Sequence, residues 1–409
     1  MIPRRVVAHV VVLAGVLLAG PWPWLTGAKV AGAPQNAQGA RTTVIAKIDP
    51  GANPQAVARQ LGVTPTFVYN HVFNGFAAEL PAAAITAAGR AKSVVKITPD
   101  FPVHAVAQIL PTGVDRIDDD QNPQAAINQD GGAIDADVAV LDTGIDKQRD
   151  LTIAGGKSCI DGRDYSDGFG HGTHVAGTIG ARDNVRGVVG VAPGVRLWAV
   201  KVLDDRGTGT ASSVICGLDW VLGKGTIDVV NMSLAGAGRD GDCADDPYHR
   251  AVCKVVRAGV PVVVAAGNDR DNASHYVPAA YDEAITVSAF ADLDGQPGAQ
   301  AGPRCGDEDD TFASFSNYGP DVDIAAPGVC ILSISYKGGT KTMSGTSMAA
   351  PHVAGAAALY KETHPGASAE EVKTWLLTQA SRPQTDPTYG FTGDPDGSHE
   401  PVLYLGPVS

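Results

Sequence analysis

The chain has 409 residues, too many for one ordinary domain, and 44% of them are apolar, enough for a sizeable packed core. A formal net charge of −13 excludes a nucleic-acid binder that relies on a basic surface and favours solubility. After residue 20 no run is long and apolar enough to span a bilayer.

Residues 1–33 read as a signal peptide. Arg4 and Arg5 precede the apolar run Val6–Leu18, Pro21 and Pro23 end it, and Ala31-Gly32-Ala33 offers small residues for cleavage. The alternative, a membrane anchor, needs ~20 apolar residues, more than this run supplies. A secreted, extracellular protein with no stable membrane association is the expectation.

Residues 42–106 hold no cysteine and mix short β-rich runs with alanine-rich ones. "TTVIAKI" (42–48), "FNGFAAEL" (73–80) and "SVVKITPD" (93–100) read as strands, and "PQAVARQLG" (54–62) and "PAAAITAAGRA" (81–91) as helices. This order suggests a small βαββαβ, ferredoxin-like α+β domain. The polar, turn-rich stretch to about residue 135 reads as an exposed join and entry to a larger domain.

From Asp137 onward strands alternate with helices, the signature of an α/β fold with a mostly parallel sheet and helices on both faces. Strands are predicted at 137–142, 196–203, 228–234, 260–267 and 284–290, and helices at 172–181, 212–223, 246–259, 347–361 and 368–380. Such sheets react at the carboxyl ends of their strands, where Asp142 and Asn268 fall.

The six cysteines, an even number in an exported chain, suggest three disulfides among 15 possible pairings. Pairing neighbours Cys243 with Cys253 and Cys305 with Cys330 leaves Cys159 with Cys216. Zinc is the competing reading of the thiols, and the lack of any C-x-x-C spacing counts against it.

Three glycine-rich segments carry the residues of nucleophilic catalysis: "VAVLDTGID" (138–146), "GHGTHVAGTIGA" (170–181) and "SGTSMAAPHVAG" (344–355). A serine hydroxyl near neutral pH needs a base to take its proton, and a carboxylate fixes the tautomer of an imidazole base. Ser347, at the head of an apolar helical run, is by position alone either a helix cap or a nucleophile. His171 and His174 resemble a metal pair, yet two histidines make an incomplete site and the glutamate of H-E-x-x-H is missing. His174 is therefore read as structural.

In these segments, across roughly 107–380, the sequence resembles the subtilisin-like serine proteases. The resemblance implies Ser347 as nucleophile, His171 as general base and Asp142 as its orienting carboxylate. Asn268 of "VVAAGND" (263–269) becomes an oxyanion-hole donor beside the Ser347 N–H. Of the peptide groove, "NMSLAG" (231–236) supplies Ser233, Leu234, Ala235 and Gly236, and "GTGTA" (207–211) supplies Gly207 and Gly209. Ala265, Gly267 and Tyr276 complete the implied substrate-binding set. "ARDNVRGVVGVAP" (181–193) resembles a calcium loop, with Arg182, Asn184, Arg186 and Val188 joined by Gln108 and Asp150 as oxygen donors. The alternative there is a solvated polar loop.

The amino-terminal domain (about 42–106, within a propeptide at 34–106) resembles the family's inhibitory prodomains. The implied self-cleavage falls between Val106 and Ala107, leaving 107–409 as the catalytic domain and Phe101 to Val106 in the groove. The alternative is an independent binding module. The expectation is a secreted zymogen of a serine endopeptidase, monomeric, of broad specificity, without organic cofactor, acting on protein or peptide substrates and inhibited by its own prodomain. The alternative from another class is a protease-like binding protein that has lost activity.

Overall fold

The computed structural model describes residues 41–81, 85–86, 89–100, 108–160, 162–380, 389–397 and 400–407. The export segment, the Val106–Ala107 junction and Phe101 to Val106 lie outside the described residues. The chain divides into two compact units, 1–103 and 104–409.

In the first unit, β1 (Arg41–Ile48), β2 (Phe67–Tyr69), β3 (Gly75–Pro81) and β4 (Val94–Pro99) form one antiparallel sheet in the order β2-β3-β1-β4. Helix α1 (Pro54–Gln60) opens on proline, and the Asn53 side chain caps it by accepting from the Ala56 N–H. Val44, Ala46 and Ile48 alternate along β1 and pack with Phe76, Ala78, Leu80, Val57 and Ala58. Of the helix expected at 81–91, Ile85 and Thr86 are helical.

The second unit is built on a mostly parallel sheet. In it lie β5 (Asp137–Asp142), β6 (Thr152–Ser158), β7 (Arg196–Lys201), β8 (Val229–Met232), β10 (Val262–Ala265), β12 (Ile285–Ala291) and β14 (Ile324–Pro327). The parallel order is β6-β7-β5-β8-β10-β12-β14, and the short β13 (Thr311–Phe312) adds antiparallel to the end of β12. Buried valine, isoleucine and alanine dominate these strands, as the two-sided cover of a parallel sheet requires. The β5 side chains divide between the two faces. Val138 and Val140 join the cluster under α3 (His171–Gly180) and α6 (Thr346–Thr363), while Ala139 and Leu141 join the one under α4 (Ala211–Lys224) and α5 (Pro247–Arg257).

The tail pairs at the sheet edge, with Val402 bridging Ala325 in parallel. Three disulfides join Cys159 to Cys216, Cys243 to Cys253 and Cys305 to Cys330, the neighbour pairing read from the sequence.

Candidate active site

The carboxyl end of β5 delivers Asp142, fully buried, to the first residue of α3. His171 Nδ1 lies 2.8 and 2.9 Å from the two Asp142 oxygens. This closeness depends on the next residue: a Cβ on Gly172 would meet the Gly144 carbonyl at 2.2 Å and Asp142 at 3.1 Å. Buried Asp167 fixes the same corner, because its Oδ1 accepts from Thr143 Oγ1 and the Phe169 and Gly170 amides, while Oδ2 accepts from the Thr173 amide and hydroxyl. Burial pulls the His171 pKa down. The Asp142 charge and hydrogen bond, with Asp167 behind them, outweigh it and leave the pKa above the ordinary imidazole value.

Ser347 does not cap its helix. Gly345 occupies the cap position with φ at 154°, Thr346 begins α6, and Ser347 is its second residue. The amide of Thr346 finds its acceptor in Asn268 Oδ1 at 2.9 Å, and the Thr346 hydroxyl donates to the same oxygen at 2.9 Å. With the amide oxygen so engaged, Asn268 turns its NH₂ group toward this helix terminus: Nδ2 is 3.6 Å from where a Cβ of Gly345 would stand. A first-turn amide such as that of Ser347 has no intrahelical acceptor, so it too is available to an oxyanion.

Pro351 has a defined consequence here. Lacking an N–H, it leaves the carbonyl of Ser347, four residues earlier, without its helical donor. Ser233 Oγ supplies one at 2.9 Å, and the Ser347 hydroxyl in turn donates to the Ser233 carbonyl at 3.2 Å. Asn231, buried on β8, steadies Ser233 by donating to its hydroxyl at 3.0 Å. The serine hydroxyl thus rests on the β8 edge in this structure.

Beside these groups runs a cleft of about 490 Å³ whose lining includes Gly207, Gly209, Ser233, Leu234, Ala235 and Gly236 together with His171. Tyr276 stands across from this edge, since β11 (Tyr276–Val277) pairs antiparallel with β9 (Gly236–Ala237). Ala265 ends β10, buried, and the Gly267 amide donates to Thr346 Oγ1 at 3.2 Å. A Cβ on Gly267 would stand 2.3 Å from Asn317 Nδ2.

Sequence reasoning missed several residues that hold the site. Asn317 accepts the Asp269 and Asp271 amides on Oδ1 and donates to the Ala266 carbonyl, so it shapes the turn carrying Asn268. Lys201 is buried at the end of β7 with its ammonium on the Thr143 carbonyl and Asp205. Phe169, Tyr248 and Val277 give the cleft an apolar wall. The helical amphipathicity of 246–259 was the available signal for Tyr248. His174 is fully buried with Nε2 on the Ile331 and Lys341 carbonyls, and burial holds its pKa down at about 4, so it is a neutral structural group.

The residues that the calcium-loop resemblance names also come together. Gln108 Nε2 donates to the Arg182 and Val188 carbonyls, Gln108 Oε1 accepts from the Asn184 amide, and Asn184 Nδ2 donates to Asp150 at 2.6 Å. Arg182 turns its guanidinium away to Thr152. The Arg186 amide donates to Asn184 Oδ1. Gly187, at φ 62°, passes so close to Asp150 that a Cβ would stand 2.4 Å from Oδ2. The donor set is oxygen-rich and fits calcium once the two side-chain amides present oxygen rather than nitrogen.

A parallel α/β sheet with a carboxylate, an imidazole and a helix-terminal serine at its carboxyl edge, beside an open peptide-sized cleft, defines a serine hydrolase. The chain matches the subtilase family over residues 135–392 and peptidase inhibitor I9 over residues 60–105. It is 42% identical to subtilisin DY of Bacillus licheniformis over 250 residues, 60% of this chain and 83% of that protein. To subtilisin Savinase of Lederbergia lenta it is 41% identical over 286 residues, covering 69% of this chain and 96% of that protein. The crystal structure of a cold adapted subtilisin-like serine proteinase superposes with a TM-score of 0.58 at 33% identity, covering 74% of this chain and all of that one. The chain belongs to the subtilase family: it is a serine-type endopeptidase made as a zymogen with an inhibitory prodomain.

Proposed function

We propose that this zymogen is exported and matures by cleavage between Val106 and Ala107, so that 34–106 is the propeptide and 107–409 the catalytic domain of a secreted endopeptidase of broad specificity. Ser347 is the nucleophile. Its hydroxyl turns from the Ser233 carbonyl toward His171, Oγ bonds to the scissile carbonyl carbon, and His171 Nε2 takes the proton while Asp142 holds Nδ1. The carbonyl oxygen, now an anion, receives the Asn268 Nδ2 and Ser347 N–H donors. As the carbon–nitrogen bond breaks, His171 returns the proton to the leaving amine. Water then attacks the acyl-enzyme by the same relay and frees Ser347.

The observation that carries this reading is the pair of contacts from His171 Nδ1 to Asp142 beside a helix terminus whose Asn268 side chain has only its NH₂ group uncommitted. Substrate backbone adds as a strand along Ser233–Gly236 and the 207–209 segment, and the open glycine-lined cleft supports breadth of side-chain acceptance. Calcium bound by Gln108, Asp150, Asn184 and the carbonyls of Arg182, Arg186 and Val188 has a structural part, with no role in bond cleavage.

Purified wild type and Ser347→Ala are to be compared on casein after equal processing in trans. The expected result is loss of nearly all hydrolysis in the variant. Equal activity of the two would defeat the assignment of the nucleophile. A substrate-library profile dominated by one side chain would defeat the breadth.

A further inference from the structure

Away from the cleft edge, Cys243, His249, Cys253 and Glu283 bring four donor atoms within 4.8 Å of one another. They come from three segments: the loop before α5, successive turns of α5 itself, and the loop before β12. His249 and Cys253, four apart, share one helix face. The spacing is C-x5-H-x3-C, which contains no C-x-x-C.

The cysteines form a disulfide, yet the surroundings are not those a disulfide needs. Glu283 Oε1 lies 3.0 Å from Cys243 Sγ, and a disulfide sulfur has no proton to offer a carboxylate. His249 Nε2 lies 2.8 Å from Glu283 Oε2 and 3.9 Å from the same sulfur. Ligand atoms of a tetrahedral zinc stand about 3.3–3.8 Å apart, given Zn–N and Zn–S bonds of about 2.0–2.3 Å. The observed spacings bracket that range. The ring of His249 is also prepared as a ligand: it is buried, stacks on Tyr281 with centroids 4.0 Å apart, and places Nδ1 3.6 Å from an Asp240 carboxylate oxygen. At that distance Asp240 makes no hydrogen bond to Nδ1, and a closer approach would give the ring the carboxylate partner usual for a zinc-bound histidine.

We propose that Cys243, Cys253, His249 and Glu283 form a zinc site that the Cys243–Cys253 disulfide masks and that reduction of this disulfide opens. A dithiol reductant gives two electrons and two protons to the sulfur pair and closes to its own cyclic disulfide. Zinc then displaces the two thiol protons, and the filled site holds two thiolates, one neutral imidazole and one carboxylate. Two thiolates favour zinc over calcium or magnesium. Tyr248, next to His249, lines the cleft, so the state of the sulfur pair is set one residue from a substrate-facing side chain.

The test uses the whole purified protein, its serine blocked by a sulfonyl fluoride, treated with a dithiol and titrated with zinc or cobalt(II). Expected are one metal per chain, a thiolate-to-cobalt charge-transfer band, and slower alkylation of Cys243 and Cys253 than of the other four cysteines by peptide mapping. Zinc is also expected to raise the unfolding temperature of the reduced chain. His249→Ala should weaken binding at least tenfold, and the half-buried Glu283→Gln gives the same direction should the buried substitution fail to fold. Metal that neither protects nor stabilises the reduced chain overturns the proposal, as does protection unchanged in both variants.

Discussion

At the scale of single residues the site is a balance of opposed effects on His171. Burial favours the neutral ring, while Asp142 and then Asp167 favour the charged one and prevail. A base must be neutral to accept a proton, so activity is lost as pH falls through a value above the ordinary 6.5. The sign for stability is opposite. A raised histidine pKa contributes stability fully present below the unfolded value and lost as pH rises through the folded one. Asp167→Asn is expected to move the acid limb of kcat/KM downward. Asp142→Asn should move it further and lower kcat on the order of 10⁴-fold, since the tautomer is no longer fixed. An acid limb unmoved in both variants would show that another group governs it. Thr346 is the subtler case, because it is fully buried and its hydroxyl donates to Asn268 and accepts from Gly267. Thr346→Val, nearly the same shape, should lower kcat roughly tenfold with KM little changed, whereas Asn268→Ala should cost roughly 10²–10³ in kcat. A KM effect alone in Thr346→Val would place that residue in substrate binding instead.

Among elements, legibility followed hydrophobicity. β5, β10 and β12 were readable because continuous apolar runs mark strands buried on both faces, and the five helices followed from their periodicity. β6, "TIAGGKS", was not readable. Its glycines exist for packing: a Cβ on Gly156 would meet the Ala199 carbonyl at 2.2 Å, and one on Gly155 would meet Trp198 at 2.8 Å. The hairpin β15 (Ile331–Ile334) and β16 (Thr340–Met343) lacked a signal for a different reason: its strands are only four residues long and half polar. The candidate triad residues Asp142, His171 and Ser347 stand in glycine-flanked motifs that the sequence displays directly. Asp167, Asn317 and Lys201 were not, because a buried polar residue looks like a surface one until its partners are placed. The polar cluster of Gln108, Asp150 and Asn184 ties the segment after α3 to the segment at 108. Chelation is expected to lower the unfolding temperature by several degrees, and Asp150→Asn should abolish that difference with hydrolysis at low temperature unchanged. A chelator effect that survives the substitution would place calcium elsewhere.

On the scale of the whole molecule, Arg116 joins distant parts of the second unit. It lies on α2 (Thr112–Arg116), fully buried, and its guanidinium donates to Asp310 and the Tyr389 carbonyl, stands 3.6 Å from Asp292, and lies over the Phe290 and Tyr389 rings. The Tyr389 hydroxyl returns a bond to the Arg116 carbonyl at 3.0 Å. The entry segment, the sheet edge and the tail therefore share one cation. Burial raises the Asp292 pKa to about 8, with Arg116 opposing and Asp310 and Asp309 adding to the rise. A carboxyl whose folded pKa is raised costs stability as pH climbs from the ordinary carboxylate range toward that value. Arg116→Met keeps the apolar stem and removes the charge, so it should lower stability by about 3–5 kcal/mol, the usual cost of stranding a buried partner. The deficit should be larger at pH 9 than at pH 6, because a protonated Asp292 has no need of the cation, and Asp292→Asn added to Arg116→Met should recover part of it. Denaturant unfolding of the four members of this cycle at both pH values measures each term. A deficit equal at the two pH values, with no recovery in the double variant, would mean that Arg116 acts through Asp310, Tyr389 and Phe290 and that Asp292 has no part in what its charge does.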